Sequence, residues 1–270
     1  MKHLIEHATH YSYTAAVAHS IQILRLTPRT DDHQRSLRWQ IDAPGTLERQ
    51  TDPYGNITHI LTIGQPRSDI ELRVTGLVEI DPLREGLLGR EDCRLPVQAY
   101  CVQTPLTLAD GSIIDFARSV LPRGIRQAAD ILALANAIRN RVLYEPGITD
   151  VTTAASEVLA MGHGVCQDHA HLFLACTRGL GAPARYVSGY LLHATDDHAA
   201  THAWADVWLA DAGWTSVDVT HGQFASGHHC RLAVARDYDS ASPVRGVRSG
   251  GGEESMTATV SVQAVQSAQA

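Results

Sequence analysis

An α+β fold is predicted, with an N-terminal β-sandwich-like domain followed by a half in which a cysteine-bearing helix packs on an antiparallel sheet. Three observations predict it. The first hundred residues alternate apolar and polar side chains in short runs separated by Pro, Gly and Asn turns. An amphipathic helix and then a helix whose apolar spacing marks it as largely buried occupy the region from 127 to 179. Three strand patterns follow one another directly after Pro183. The expected organisation is a β domain over 1–100, a connecting segment over 101–126, a core over 127–255 and a C-terminal strand and tail over 256–270.

In the first domain, Leu4–Tyr13 interleaves tyrosines and histidines with polar residues, and Ser20–Leu26 alternates strictly. Leu37–Ile41 is a short alternating run, Asp52-Pro53-Tyr54-Gly55-Asn56 is a turn, and Ile57–Ile63 and Ile70–Ile80 complete the strands. The histidines here (His3, His7, His10, His19) gather into no cluster and read as strand-face or surface residues. Residues 81–124 read as irregular, because prolines and glycines interrupt every periodic run.

Gln127–Leu143 then places Ala128, Ile131, Leu132, Ala135, Ile138 and Val142 at helical spacing, and Tyr144-Glu145-Pro146-Gly147 stops it. A short helix is expected around Ala154–Leu159. The next helix opens at Cys166, with Ala170, Phe173 and Leu174 on its inner face, and ends near Gly179-Leu180-Gly181. Ala184–Leu192, Thr201–Leu209 and Trp214–Thr220 are the strand candidates, the last two joined by the short connection Ala210–Gly213. Residues 240–256 are Ser/Gly-rich, and alternation resumes from Met256.

Cys166 is the residue around which a chemistry can be built. Gly162 and Gly164 precede it, and it falls in the first turn of its helix, where unpaired N–H groups and the positive end of the helix dipole favour a thiolate. A base and an orienting group follow in order, His202 and Asp218, on neighbouring strands. They share a face only if paired residue numbers sum to an even value, as with Leu209 opposite Gly213; pairing Leu209 with Trp214 would split them. A lone buried cysteine or strand histidine would more simply be structural. The ordered set of all three points instead to nucleophilic catalysis.

At 270 residues with 44% hydrophobic and 19% charged, the composition is that of a globular protein with a substantial core. A net charge of -7 argues against nucleic-acid and anionic-membrane partners. No apolar run reaches membrane-spanning length, and MKHLIEHATHYSY lacks the apolar region of a signal peptide. Five dispersed cysteines (Cys93, Cys101, Cys166, Cys176, Cys230) suit free thiols in a reducing compartment, so a cytoplasmic location is expected.

The motifs GVCQDHAHLFLA, GAPARYVSGYL, THAWADVWL and GWTSVDVTHG, followed by ARDYDSASPVRGV, resemble the successive motifs of the transglutaminase-like superfamily, in particular its bacterial branch of candidate cysteine peptidases. The likeness covers roughly residues 120–250, and LTPR and DPYGN are similar to the β domain that precedes the core in that branch. It implies a papain-like core with Cys166 as nucleophile, His202 as general base and acid, and Asp218 as orienter. The chain departs from the branch at Asp206, where glutamate is common, at His169, where an aromatic residue is usual, and at Val219-Thr220-His221, where Pro-Thr-Asn is usual. The implied activity is cysteine-dependent cleavage of a peptide, isopeptide or other amide, or acyl transfer, through a thioester. No cofactor and no metal are expected. The backbone N–H of Cys166 is a natural oxyanion donor, with Gln167 and the tryptophans as candidates for a second.

Other readings compete. Metal binding is suggested by His163, His169, His171, His193, His198, His202, His221, His228, His229 and Cys230, but His169-x-His171 and His228-His229-Cys230 are only weak versions of the tight ligand pairs of zinc sites, and His169 and His171 do not share a helix face. A non-catalytic scaffold built on the same core is the principal alternative, although no triad member is missing. A Cys166–Cys176 redox pair is too far apart along one helix. Asp168 is explained by the helix dipole alone, and Trp204, Trp208 and Trp214 serve either a cleft or core packing.

Overall fold

A computed structural model describes residues 1–91, 95–192 and 201–265. In chain order the elements are β1 (Lys2–Leu24), β2 (Gln34–Asp42), β3 (Thr46–Thr51), β4 (Ile57–Ile63), β5 (Arg67–Ile80) and β6 (Leu87–Gly89). There follow α1 (Gly111–Val120), α2 (Ala128–Arg141), β7 (Leu143–Tyr144), α3 (Ala155–Met161), β8 (His163–Gly164) and α4 (Cys166–Gly179). The chain continues through β9 (Ala184–Leu191), β10 (Thr201–Leu209), β11 (Gly213–Asp218), β12 (Gln223–Phe224) and β13 (His229–Ala235) to α5 (Tyr238–Ala241), β14 (Val244–Gly250) and β15 (Glu254–Val265).

The first sheet is organised on β1, which runs unbroken through the two strands expected from the sequence. Its two halves are paired on both edges: β5 and β4 lie along one, β15 and β14 along the other, all antiparallel. At the irregular segment 14–16 the partner run bends through Gly250, Gly251 and Gly252, which all have positive φ (82°, 96° and 62°), a conformation that glycine adopts without a Cβ clash. β2 and β3 close the sheet edges beside β5 and β4. The sequence did not announce β3, because TLERQT is an exposed edge strand with no apolar face.

The second sheet has the order β12-β11-β10-β9-β13, with β6 added to β11. β13 carries HCRLAVA, a fully buried run without alternation, which is why periodicity alone passed over it. Helix α4 lies against this sheet and buries Ala170, Leu172, Phe173, Leu174 and Ala175 completely. Each of the large apolar side chains contributes roughly 1.5–3 kcal/mol by leaving water.

One expectation is corrected. The segment read as irregular contains α1, capped by Asp110, whose Oδ1 accepts the Ile113 N–H at 3.0 Å. Ile113 and Ala117, one turn apart, are fully buried in the same core as α2 and α4. The flanking prolines and glycine mark the ends of this helix, not its absence.

The two sheets meet through Ile5, Val78, Ile80 and Val262 on one side and Tyr190, Cys230 and Leu232 on the other. Beside this apolar contact lies a buried ionic cluster. The Asp206 carboxylate, fully buried, accepts from Arg185 Nε at 2.8 Å and from Arg231 Nη1 and Nη2 at 3.2 and 3.0 Å. Glu91 accepts from Arg185 at 2.8 and 3.0 Å, and Arg29 lies 3.5 Å from it. Gln34 of β2 joins the cluster by accepting the Arg231 backbone N–H at 2.7 Å. Among the described residues no helix is long and apolar enough to cross a membrane.

Candidate active site

The cysteine is placed by the turn before it. Gly162 ends α3 with φ 73°, the left-handed conformation of a helix C-terminus. Gly164 then leaves room for Asp168: a Cβ on Gly164 would lie 2.8 Å from the Asp168 side chain. Asp168 Oδ2 accepts the Val165 N–H at 2.8 Å and the Thr149 hydroxyl at 2.6 Å, tying the first turn of α4 to the preceding loop. Burial pushes its carboxyl upward, against the pull of those two bonds. Its work is to cap the helix, as the dipole argument expects. Cys166 is thereby held at the first helical position, half-buried.

The histidine and aspartate are placed by strand register. Leu209 pairs with Gly213 and Asp206 with Ser216, the even register in which His202 and Asp218 share a face. His202 lies opposite Gly189 of β9, where a Cβ would meet the Cys230 carbonyl at 2.1 Å and the Trp204 ring at 2.5 Å. Only glycine lets the strand pass so closely beneath Trp204, whose ring stacks on His202.

His202 Nε2 donates to Asp218 Oδ2 at 2.9 Å, and Cys166 shares the cleft with the ring. Burial by itself would lower the imidazole's affinity for a proton. The bond to Asp218 and the neighbouring Cys166 thiol outweigh it and raise the pKa to about 10. Burial would likewise raise Asp218, but the histidines bonded to it hold its carboxyl well below the usual range. The three residues singled out in the sequence are therefore brought together.

Two neighbours escaped the sequence argument. His221 Nδ1 lies 2.7 Å from Asp218 Oδ2, and its backbone N–H donates to Oδ1 at 3.1 Å. His229 Nε2 lies 3.0 Å from the same Oδ2. The Ser226 N–H donates to His229 Nδ1 at 3.1 Å, which fixes the proton of the neutral ring on Nε2 and makes it a donor to Asp218. Burial lowers the His229 pKa despite that carboxylate. For His221 the available signal was the departure at Val219-Thr220-His221; the sequence offers His229 only as a metal-ligand candidate beside His228 and Cys230, on a strand without alternation.

The remaining candidates resolve as follows. His169 contacts Thr220 Oγ1 and the Val142 carbonyl, both at 3.0 Å, and His171 Nε2 accepts the Tyr238 N–H at 3.1 Å, so both serve packing. His163 pairs with Glu145 at 2.7 Å. Gln167 donates its amide to the Val151 carbonyl at 3.4 Å. Trp204 and Trp214 are fully buried, and Trp214 stacks under Arg185. Asp206 belongs to the ionic cluster. Cys176 and Cys230 are buried, Cys101 is half-buried, and all are free thiols. Cys93, His193 and His198 lie outside the described residues.

Cys166 and His202 open onto a cleft of about 640 Å3, whose walls include Tyr144, His169, Thr201, His221 and Arg139. A shallower depression of about 500 Å3 around Pro122 and Arg126 contains no nucleophile. The arrangement can deprotonate a thiol, hold the resulting imidazolium and admit an extended substrate.

Comparison with known proteins identifies the family and the fold. Residues 115–219 match the core of the transglutaminase-like superfamily, and residues 4–79 match the bacterial transglutaminase-like N-terminal region. An uncharacterized protein of Mycobacterium tuberculosis is 32% identical over 277 residues, covering 91% of this chain and 87% of its own length. One from Mycobacterium leprae is 28% identical over 279 residues, covering 96% and 97%. Among solved structures, a candidate cysteine protease from Cytophaga hutchinsonii superposes with a TM-score of 0.80 at 20% identity, covering all of this chain and 92% of that one. At that identity the likeness is one of fold.

Proposed function

Because the chain belongs to the transglutaminase-like superfamily, we propose that it is a cysteine-dependent amide-bond hydrolase acting through Cys166, His202 and Asp218. The observation that carries the reading is the placement of His202 between the Asp218 carboxylate at 2.9 Å and the thiol at the start of α4. His202 Nδ1 takes the proton of Cys166, and Asp218 holds the ring and the charge it acquires. The thiolate attacks the carbonyl carbon of a peptide, isopeptide or other amide, and the tetrahedral oxyanion is received by the Cys166 N–H at the helix N-terminus. The C–N bond breaks as His202 returns the proton to the leaving amine, leaving a thioester. Water, deprotonated by His202, then releases the acid and the free thiol. An amine in place of water would complete acyl transfer by the same steps.

Alkylation of the intact protein by iodoacetamide at pH 7, located by mass spectrometry, tests this. Cys166 is expected to react ahead of the other cysteines; burial raises the thiol of Cys176 to about 12 and that of Cys230 further. An ordinary thiol is only a few per cent ionised at pH 7, so His202→Ala should slow Cys166 by about tenfold or more. A Cys166 indifferent to His202 would overturn the catalytic reading and leave a binding scaffold. With a reactive thiol established, release of acid or of amine adduct from a peptide amide in the presence of a primary amine separates hydrolysis from transfer.

A further inference from the structure

Asp218 meets more histidine than an orienting carboxylate requires. Three imidazole nitrogens, from His202, His221 and His229, surround one oxygen at 2.9, 2.7 and 3.0 Å. The rings are not equivalent. His229 is committed as a donor, because Ser226 N–H occupies its Nδ1, and it cannot present a lone pair at Nε2 without breaking that bond. His202, Asp218 and His221 differ: one ligand atom from each can be chosen so that all lie within 4.8 Å of one another. Tetrahedral zinc with bonds of about 2.0–2.1 Å places its ligands roughly 3.3 Å apart, so small side-chain rotations bring these three around an ion. Two imidazoles and a carboxylate form a donor set suited to zinc, and the site borders the cleft through which an ion would arrive.

We infer that His202, Asp218 and His221 form a Zn2+ site at the mouth of the cleft, and that occupancy turns the thiol off. The second half of this inference rests on the catalytic reading above; the first half does not. Zinc bound at His202 Nε2 leaves the ring's proton on Nδ1. The imidazole then has no lone pair to take the proton of Cys166, and the carboxylate that oriented it is engaged by the metal. The device depends on His221, whose Nδ1 lies 2.7 Å from Asp218 Oδ2 and which completes the donor set. An asparagine in its place can still donate a hydrogen bond to Asp218, but its amide is a poor zinc ligand.

The test uses the full chain and Zn2+ alone, with bound metal measured by equilibrium dialysis and elemental analysis. Wild type is expected to bind a single ion, Cys166→Ser to retain it, and His221→Asn and His221→Gln to weaken it by about tenfold or more. Circular dichroism and thermal melts verify that the variants are folded, and two different replacements guard against one that is not. In parallel, Zn2+ should slow iodoacetamide alkylation of Cys166 in wild type and have less effect in His221→Asn. Absence of binding at 100-fold excess metal over protein overturns the site. So does binding lost in Cys166→Ser but kept in both His221 variants, since the ion would then sit on the thiol. Slow alkylation without zinc refutes the catalytic reading, while dialysis still decides the site.

Discussion

Asp206 should be among the least replaceable residues outside the cleft. Asparagine there keeps the shape but removes the charge that two buried guanidinium groups share, those of Arg185 and Arg231 at 2.8 and 3.0 Å. Arg185 and Asp206 are wholly excluded from solvent, so the orphaned cations cannot recover hydration without opening the junction between the sheets. Removing one partner of a buried pair costs about 3–5 kcal/mol. Glu91 remains beside both arginines and compensates in part, placing Asp206→Asn near the lower end, about 3 kcal/mol. For a chain of this size that corresponds to a fall in melting temperature of roughly 6–12 °C. Urea denaturation followed by tryptophan fluorescence measures it, because Trp214 stacks on Arg185. Arg35→Ala, which removes an exposed pair with Glu79, is the control and should leave the midpoint unchanged within error. If Asp206→Asn were no worse than that control, the buried pairs of Asp206 with Arg185 and Arg231 would not contribute to stability as argued.

Acid should loosen the same junction in two stages. Burial lowers His7 from its ordinary value of 6.5 to about 4, so the stability it contributes is whole above pH 6.5 and is lost as pH falls toward 4, roughly 3 kcal/mol in all. His7→Gln should lessen the fall of the urea midpoint across that window without abolishing it, because burial lowers His3 and His171 to about 4 as well. Glu91 and Asp206 are instead held below the usual carboxylate range, by neighbouring arginines that overcome the opposing effect of burial, so their contribution persists until the pH drops below about 4. Asp168→Ala removes the cap on α4 and should cost about 1 kcal/mol, with faster amide hydrogen exchange in the first turn after Cys166 as the local readout. Gly189→Ala forces a methyl group against the Cys230 carbonyl and the Trp204 ring, and should lower stability by about 1–3 kcal/mol with a changed near-ultraviolet spectrum. An unaltered melt would mean that β9 is not so closely packed beneath Trp204.

The elements that sequence reasoning located are those whose residue types alternate or whose ends carry clear turn signals, even where, as in β9, β10 and β11, nearly every residue is buried. Ile57–Ile63 and Thr201–Leu209 were bounded to the residue, and the even register between β10 and β11 was a condition that could be written from numbering alone. What escaped has a common cause. β3 has no buried face, β13 is buried on both, and α1 is short and edged by helix breakers, so none shows the alternation that separates strand from helix. Cys166, His202 and Asp218 were legible because chain order and helix position single them out. His229 was not, because its partnership with Asp218 spans two strands and is created by a turn at Ser226.

Among the described strands β1 comes first in the sequence and β15 last, yet they pair along twelve residues, from Lys2 opposite Val265 to Tyr13 opposite Glu254. During synthesis one edge of β1 therefore waits for nearly the whole chain to emerge, while the segment bearing the cleft is produced in between. The cleft-bearing core is in effect an insertion within a sheet. A single cut after residue 80 cannot release it cleanly, since β14 and β15 would be left with apolar and backbone edges unpaired. Folding should accordingly be slow and dominated by non-local pairing, with the terminal strand as its closing event.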